Sequence, residues 1–346
     1  MQDFTDRVQA FDERAAALAG NKWDSIAKPL KSLGYLEDAV CRIAGIQGTA
    51  EIDISKKAVI VCCADNGVVQ EGVTQCGPEI TALAAEKIAS GRSSVSAMAN
   101  VAHADVICVD MGMLSRVPGT VDMHIADGTG NIAMGPAMTR EQAERAVHNG
   151  IELVQGLRDK GYSIIATGEM GIGNTTTSAA MLSVLLGLEP EEVTGRGAGL
   201  SREKLEKKIN VVRRAVQVNA PYEDALDVIS KLGGFDIAGL AGVFIGGAIC
   251  RVPVVIDGII SSAAALSAYG MCLKCKDFML ASHVSAEPVA GQVLERLGLK
   301  PLIAANMRLG EGTGAVCAFP LLDMAAAVYG GADFKEYGMD AYEHQE

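Results

Sequence analysis

The sequence predicts an α/β protein: a doubly wound parallel sheet with helices on both faces. Three observations carry this. Four continuous apolar runs rich in β-branched residues recur along the chain. Capped helical patterns lie between them, and acids, glycines and turn residues gather directly after the runs. A run without polar alternation is the mark of a strand buried on both faces, as in a parallel sheet. Strands alternating with helices give the doubly wound arrangement, whose ligands sit beyond the carboxyl ends of the strands.

Residues 1–50 read as helices. Phe4, Val8, Phe11, Ala15 and Leu18 recur at three- and four-residue steps, Asp24 is placed to cap a second helix, and Glu37 lies near the start of a third. Then the period changes. Ala58–Ala64 is the first strand-like run and ends at Asp65-Asn66-Gly67, a common turn signal. Ala104–Asp110 is the second. Residues 111–138, rich in glycine and proline and without a period, predict a long ordered loop near the site. Thr139-Arg-Glu-Gln142 is a capping box that opens a helix to about Lys160. Tyr162–Thr167 is the third strand, followed by helices over Thr175–Leu186 and Ser201–Asn219, the latter stopped by Pro221. The uncharged run Ile237–Cys250 is too short to span a bilayer and reads as a buried helix. Val252–Asp257 is the fourth strand.

A chain of 346 residues, 49% apolar with mean hydropathy +0.23, has material for a sizeable core. Its net charge of −12 argues against a nucleic-acid partner. Lys204, Lys207 and Lys208 are interleaved with Glu203 and Glu206 and read first as a solvated helix face. The N-terminus has no basic stretch leading into an apolar run, so a cytoplasmic protein without a membrane partner is expected. The nine cysteines are scattered through apolar runs. Cys272 and Cys275 form a single C-x-x-C with His283 as the nearby histidine; they read as a structural thiol pair, because two ligands do not complete a zinc site. Neither a metal nor a cofactor is expected.

Two glycine-rich segments, each built around one glutamate, carry the functional signal. In Thr167-Gly-Glu169-Met170-Gly171-Ile-Gly173-Asn174-Thr175, Asn174 or Thr175 would cap the next helix, and the helix N–H groups would face an anion. The segment is neither a Walker A loop nor G-x-G-x-x-G. Arg308-Leu-Gly310-Glu311-Gly312-Thr-Gly314 presents an acid flanked by glycines at the start of an apolar helix. It is a pocket carboxylate or a helix-terminal acid; the pattern alone leaves both open. Asp257, ending a buried strand, either holds a ribose hydroxyl or caps the next helix. His283 reads as a structural hydrogen-bonding residue.

With Gly195-Arg-Gly-Ala-Gly-Leu200, Asp257-Gly258-Ile-Ile-Ser261 and Ser282-His-Val-Ser285-Ala-Glu-Pro288, these segments stand in the order in which they occur in the nicotinate-nucleotide–dimethylbenzimidazole phosphoribosyltransferases of cobamide synthesis. The sequence closely resembles that family over roughly residues 30 to 330. The resemblance implies a Rossmann-like large domain over residues 51–300. It also implies a small helical domain made from residues 1–50 and 301–346, and a homodimer. It implies transfer of phosphoribose from nicotinate mononucleotide to a lower-ligand base, with release of nicotinate. By motif, Glu311 matches the general base and Glu169 a second acid near the base. Gly171, Gly173, Asn174, Thr175 and Lys208 match phosphate contacts, and Asp257, Gly258 and Ser285 ribose- and phosphate-side contacts. Asp65, Thr74, Leu83 and Met170 fall at the base pocket.

The sequence departs from the family pattern at Asn66, where histidine is usual, and at Thr74-Gln75-Cys76-Gly77-Pro78, where an aromatic residue is usual. It departs again at Leu83 in place of glutamine and at Val284 in place of arginine. The first three changes bear on which base is accepted. Two other classes are weighed against the transferase. A non-catalytic nucleotide binder is opposed by the intact Glu311 segment, and a nicotinamide-dependent dehydrogenase by the missing G-x-G-x-x-G after the first strand.

Overall fold

The computed structural model describes residues 2–342. Among them, six parallel strands form one sheet. They are β1 (Lys57–Ala64), β2 (Ala104–Gly112), β3 (Val121–Asp122), β4 (Ile164–Met170), β5 (Val254–Ile256) and β6 (Met279–Ala281), in the order β3-β2-β1-β4-β5-β6. This is the Rossmann order, whose crevice opens at the carboxyl ends where the chain reverses its direction of travel across the sheet, here between β1 and β4. The four predicted strands are all present. β3 (Val121–Asp122) and β6 (Met279–Ala281) are short and lie in no run rich in β-branched residues, the signal that marks the other four.

The strand residues explain why both faces are covered. Along β1, Ala58, Ile60, Cys62 and Ala64 enter one core, while Val59, Val61 and Cys63 enter the other. Alternate side chains leave opposite faces of a strand, so an unbroken apolar run demands a helical layer on each side. The first layer includes the Arg140–Asp159 and Phe235–Cys250 helices, and the second includes Glu79–Ala89, Ser94–Val101 and Thr313–Tyr329. The Phe235–Cys250 helix is the buried one expected from the uncharged run. It packs backbone to backbone on its neighbour: a Cβ at Gly242 would lie 2.0 Å from the Val147 carbonyl oxygen.

The N-terminal helical reading needs correcting. Phe4 lies in the Gln2–Arg7 helix and Ala15 and Leu18 in the Glu13–Ser25 helix, while Val8 and Phe11 fall in the break between them, after which Asp12 accepts the Ala15 N–H at 2.9 Å and restarts the helix. The inward face is then Ala15, Ala19 and Trp23, and Leu18 is half-exposed. Asp24 lies inside the second helix instead of capping a new one, whereas Glu37 sits in the first turn of Tyr35–Gln47 as expected. Trp23, Val40 and Ala44 share a cluster with Ala325 and Tyr329 from the other end of the chain. Among the described residues no helix is long and apolar enough to cross a membrane.

Residues 111–138 are held by hydrogen bonds to the strand ends, with Asp110 of β2 as the hub. Its carboxylate meets His124 Nδ1 at 3.2 Å, Arg116 at 3.1 Å and the Met113 N–H at 2.9 Å. Cys272 and Cys275 are buried free thiols joined through backbone, the Cys275 N–H donating to the Cys272 carbonyl at 2.9 Å.

Candidate active site

A cavity of about 310 Å³ opens at the carboxyl ends of β4 and β5. Both glutamate-bearing segments reach it. Glu169, Met170, Gly171, Gly173, Asn174 and Thr175 line it from the β4 side, Asp257 and Gly258 from the end of β5, and Ser285 from beyond β6. Lys208, Thr74 and Glu311 complete the predicted residues present there.

Glu169 is the penultimate residue of β4, so the strand runs further into the motif than expected, and its side chain is buried. Burial first, then the charges of Asp236, Asp257 and Glu311, push its carboxyl well above the usual carboxylate range, although the Asn174 amide donates to it. The Asn174–Leu186 helix begins after Gly173, which holds the capping position in a left-handed conformation at φ +98°. Neither Asn174 nor Thr175 is therefore the cap. Asn174 directs its side-chain nitrogen to Glu169 and Asp236, and its backbone N–H returns to the Gly171 carbonyl at 3.1 Å. A cation stands beside this helix start, Lys208 Nζ donating to Thr175 Oγ1 at 2.9 Å and to the Gly195 carbonyl at 3.2 Å. Lys208 is 1% exposed while Lys204 and Lys207 face solvent, which corrects the reading of all three as a solvated face. Burial lowers the Lys208 ammonium to about 8, with Glu287 opposing.

Glu311 sits in a left-handed conformation at φ +59°, between Gly310 at +91° and Gly312 at +90°. A non-glycine residue there costs on the order of 1–3 kcal/mol and is held by its surroundings. Three contacts hold it. The segment lies against β4 so closely that a Cβ at Gly168 would come within 2.5 Å of the Glu311 carbonyl oxygen. Glu311 Oε2 accepts the Val95 N–H at 3.3 Å. Asp257 accepts the Gly312 N–H at 3.2 Å and the Ala315 N–H at 2.9 Å. Asp257 thus caps a helix, but it is the distant Thr313–Tyr329 helix and not the one that follows it. Burial raises the Asp257 carboxyl against the pull of His283 and these amides. His283 is buried, bonded through Nδ1 to Ser282 Oγ at 3.1 Å, and burial lowers its imidazole. Glu311 is half-buried, and that burial raises its carboxyl.

Two predicted base-pocket residues lie off the cavity wall. Asp65 is buried behind it, its carboxylate accepting the Leu114 N–H at 2.8 Å and its carbonyl the Thr129 N–H at 3.0 Å. It tethers the 111–138 loop because the ends of the paired strands β1 and β2 lie side by side. Leu83 is 56% exposed, since the Glu79–Ala89 helix turns Thr81, Ala85 and Ile88 inward and residue 83 falls on the opposite side. Four residues not singled out also belong here: Arg196, Glu287 and Arg308 on the wall, and Asp236 beneath it. The first three stand inside the quoted motifs. Asp236 gives little signal beyond being a lone acid at the head of an apolar run.

With this geometry in place, the likeness to known proteins is specific. A family model described as Phosphoribosyltransferase matches residues 8–339. The nicotinate-nucleotide–dimethylbenzimidazole phosphoribosyltransferase of Acetivibrio thermocellus is 48% identical over 309 residues, 88% of each chain. That of Escherichia coli K12 is 43% identical, over 95% of this chain and 93% of its own. The crystal structure of CobT from Thermus thermophilus superposes with a TM-score of 0.90 at 39% identity, covering 95% of this chain and all of that one. From motif order, sheet order and full-length likeness alike, the chain belongs to the nicotinate-nucleotide–dimethylbenzimidazole phosphoribosyltransferase family.

Proposed function

We propose that the chain transfers 5-phosphoribose from nicotinate mononucleotide to 5,6-dimethylbenzimidazole or a related lower-ligand base of cobamides, releasing nicotinate and giving the α-riboside 5′-phosphate. The supporting observation is that one cavity holds a buried cation beside Thr175 together with two carboxyl groups of unlike environment, Glu169 and Glu311.

The C1′–N bond breaks with its electron pair going to the cationic pyridinium nitrogen, so nicotinate leaves with a neutral ring nitrogen and needs no acid assistance. Positive charge then develops at C1′, and the acids around the cavity favour it electrostatically. Lys208 with Thr175 would hold the 5′-phosphate. The incoming base attacks the face opposite the departing ring, which inverts β to α. Two carboxyl groups whose surroundings push their proton affinities apart take different roles. Glu311, half-exposed and raised less than Glu169, is the one that gives up its proton more readily and takes the benzimidazole N–H proton. Glu169, buried among other acids, keeps its proton and donates a hydrogen bond.

Nicotinate release from nicotinate mononucleotide and dimethylbenzimidazole, followed by chromatography, tests this. No release with any azole or purine acceptor refutes it. The homodimer and the two-domain division form part of the same proposal. The dimer is supported by the exposed Met324 and Val328, one turn apart on the Thr313–Tyr329 helix, and is tested by light scattering.

A further inference from the structure

The Phe235–Cys250 helix is buried almost throughout, yet its second residue is an acid with no exposed surface. Asp236 Oδ2 accepts Asn174 Nδ2 at 3.0 Å, and the same nitrogen donates to Glu169 Oε2. A side-chain amide nitrogen carries two hydrogens. Here one goes to each carboxyl, so Asn174 is gripped between them and its orientation is fixed. Asp236 Oδ1 lacks a hydrogen-bond partner, as does Asn66 Oδ1. A Cβ at Gly234 would lie 2.3 Å from the first oxygen and 2.5 Å from the second, so both flank one point. Crowded acceptors in a dry site favour retention of a proton.

We propose that Asp236 is a positioning residue for the transfer: it anchors the Asn174 amide, and through it the Glu169 carboxyl, and the two acids keep one proton between them. This rests on reading the cavity as the phosphoribosyl-transfer site. Burial pushes the Asp236 carboxyl up to about 6, the Asn174 amide opposing. The titratable groups that interact with it are Cys62 from β1, Asp65 just beyond β1 and Glu169 from β4, with Cys63 on the far face of β1 feeling its charge; Asp257 and Glu311 act on Glu169 in turn. Each of these carries negative charge when ionised. Near neutrality Asp236 is therefore the member that gives up its proton first, and its charge holds the proton on Glu169.

The test compares wild type, Asp236→Ala and Asp236→Asn in turnover and in titration. Asp236→Ala removes the acceptor and lowers kcat about tenfold or more, the scale of one charge-assisted hydrogen bond, with the KM for nicotinate mononucleotide nearly kept. Asp236→Asn keeps an oxygen for Asn174, so it restores part of kcat. It also removes the charge, so the Glu169 carboxyl titrates at lower pH and the basic limb of kcat moves down with it. The Glu169 titration is read by carboxyl ¹³C NMR on ligand-free protein, assigned with Glu169→Gln, and stands whether or not turnover is seen. A Glu169 titration unchanged in Asp236→Asn, or Asp236→Ala with wild-type kcat, overturns the proposal. Absence of nicotinate release by wild type overturns the functional reading instead.

Discussion

Glu169 and Glu311 look alike in sequence, each a lone acid among glycines, and the fold treats them in opposite ways. Glu169 is the penultimate residue of a central strand, buried and bonded through Asn174 to a second acid. Glu311 stands in a left-handed turn, half-buried, its own oxygen meeting a backbone N–H while Asp257 grips the two amides that follow. The lesson is that glycine flanks announce close approach of backbone but not the protonation state of the acid between them. Surroundings set that, and they come from β1, β5 and the Phe235–Cys250 helix, each distant in sequence.

The largest effect expected of this contrast is on turnover. Glu311→Gln lowers kcat by about 10²–10⁴-fold, the range of a general base, while circular dichroism shows the fold retained. Unchanged kinetics would remove Glu311 from the chemistry. Next, Lys208→Ala raises the KM for nicotinate mononucleotide by roughly 10- to 100-fold, as loss of a charged hydrogen bond implies; a change confined to kcat would break its assignment to the phosphate. Asp257→Ala frees the Gly312 and Ala315 amides and loosens the Glu311 turn. It costs about 1 kcal/mol of stability, the scale of a helix cap, and more in kcat than in KM. Thermal melts with steady-state kinetics measure both. The smallest loss is for Glu169→Gln, because in the proposed assignment Glu169 holds its proton and the substitution removes no charge; a loss equal to that of Glu311→Gln would erase the distinction drawn here.

A pH profile sharpens the same contrast. A base must be deprotonated to act, and burial raises the Glu311 carboxyl. Activity therefore falls, as pH is lowered, at a higher pH than an ordinary solvent-exposed glutamate would give. That limb disappears in the residual activity of Glu311→Gln.

Much of the fold was legible because long elements carry period and punctuation. The four long runs became β1, β2, β4 and β5, and the Thr139 capping box and Ser201 cap opened their helices. β3 and β6 are short and lack the β-branched run that gave away even the three-residue β5. The N-terminal phase was misread because one side-chain cap, Asp12, restarted the helix. At the site, motif spacing brought most predicted residues to one cavity. Asp65 and Leu83 stayed off its wall, because strand pairing and helix phase, not position along the chain, decide which way a side chain turns.

By itself, then, the sequence determined the layered α/β architecture, the family and the two glutamate segments, since hydrophobic period and glycine spacing are local properties written along the chain. Only the tertiary structure decided that Asp257 serves a helix 55 residues away, that Lys208 alone of its cluster is buried, and that Asp236 stands behind Glu169. Burial and charge proximity depend on which distant segments meet, and those two quantities fix where a proton resides.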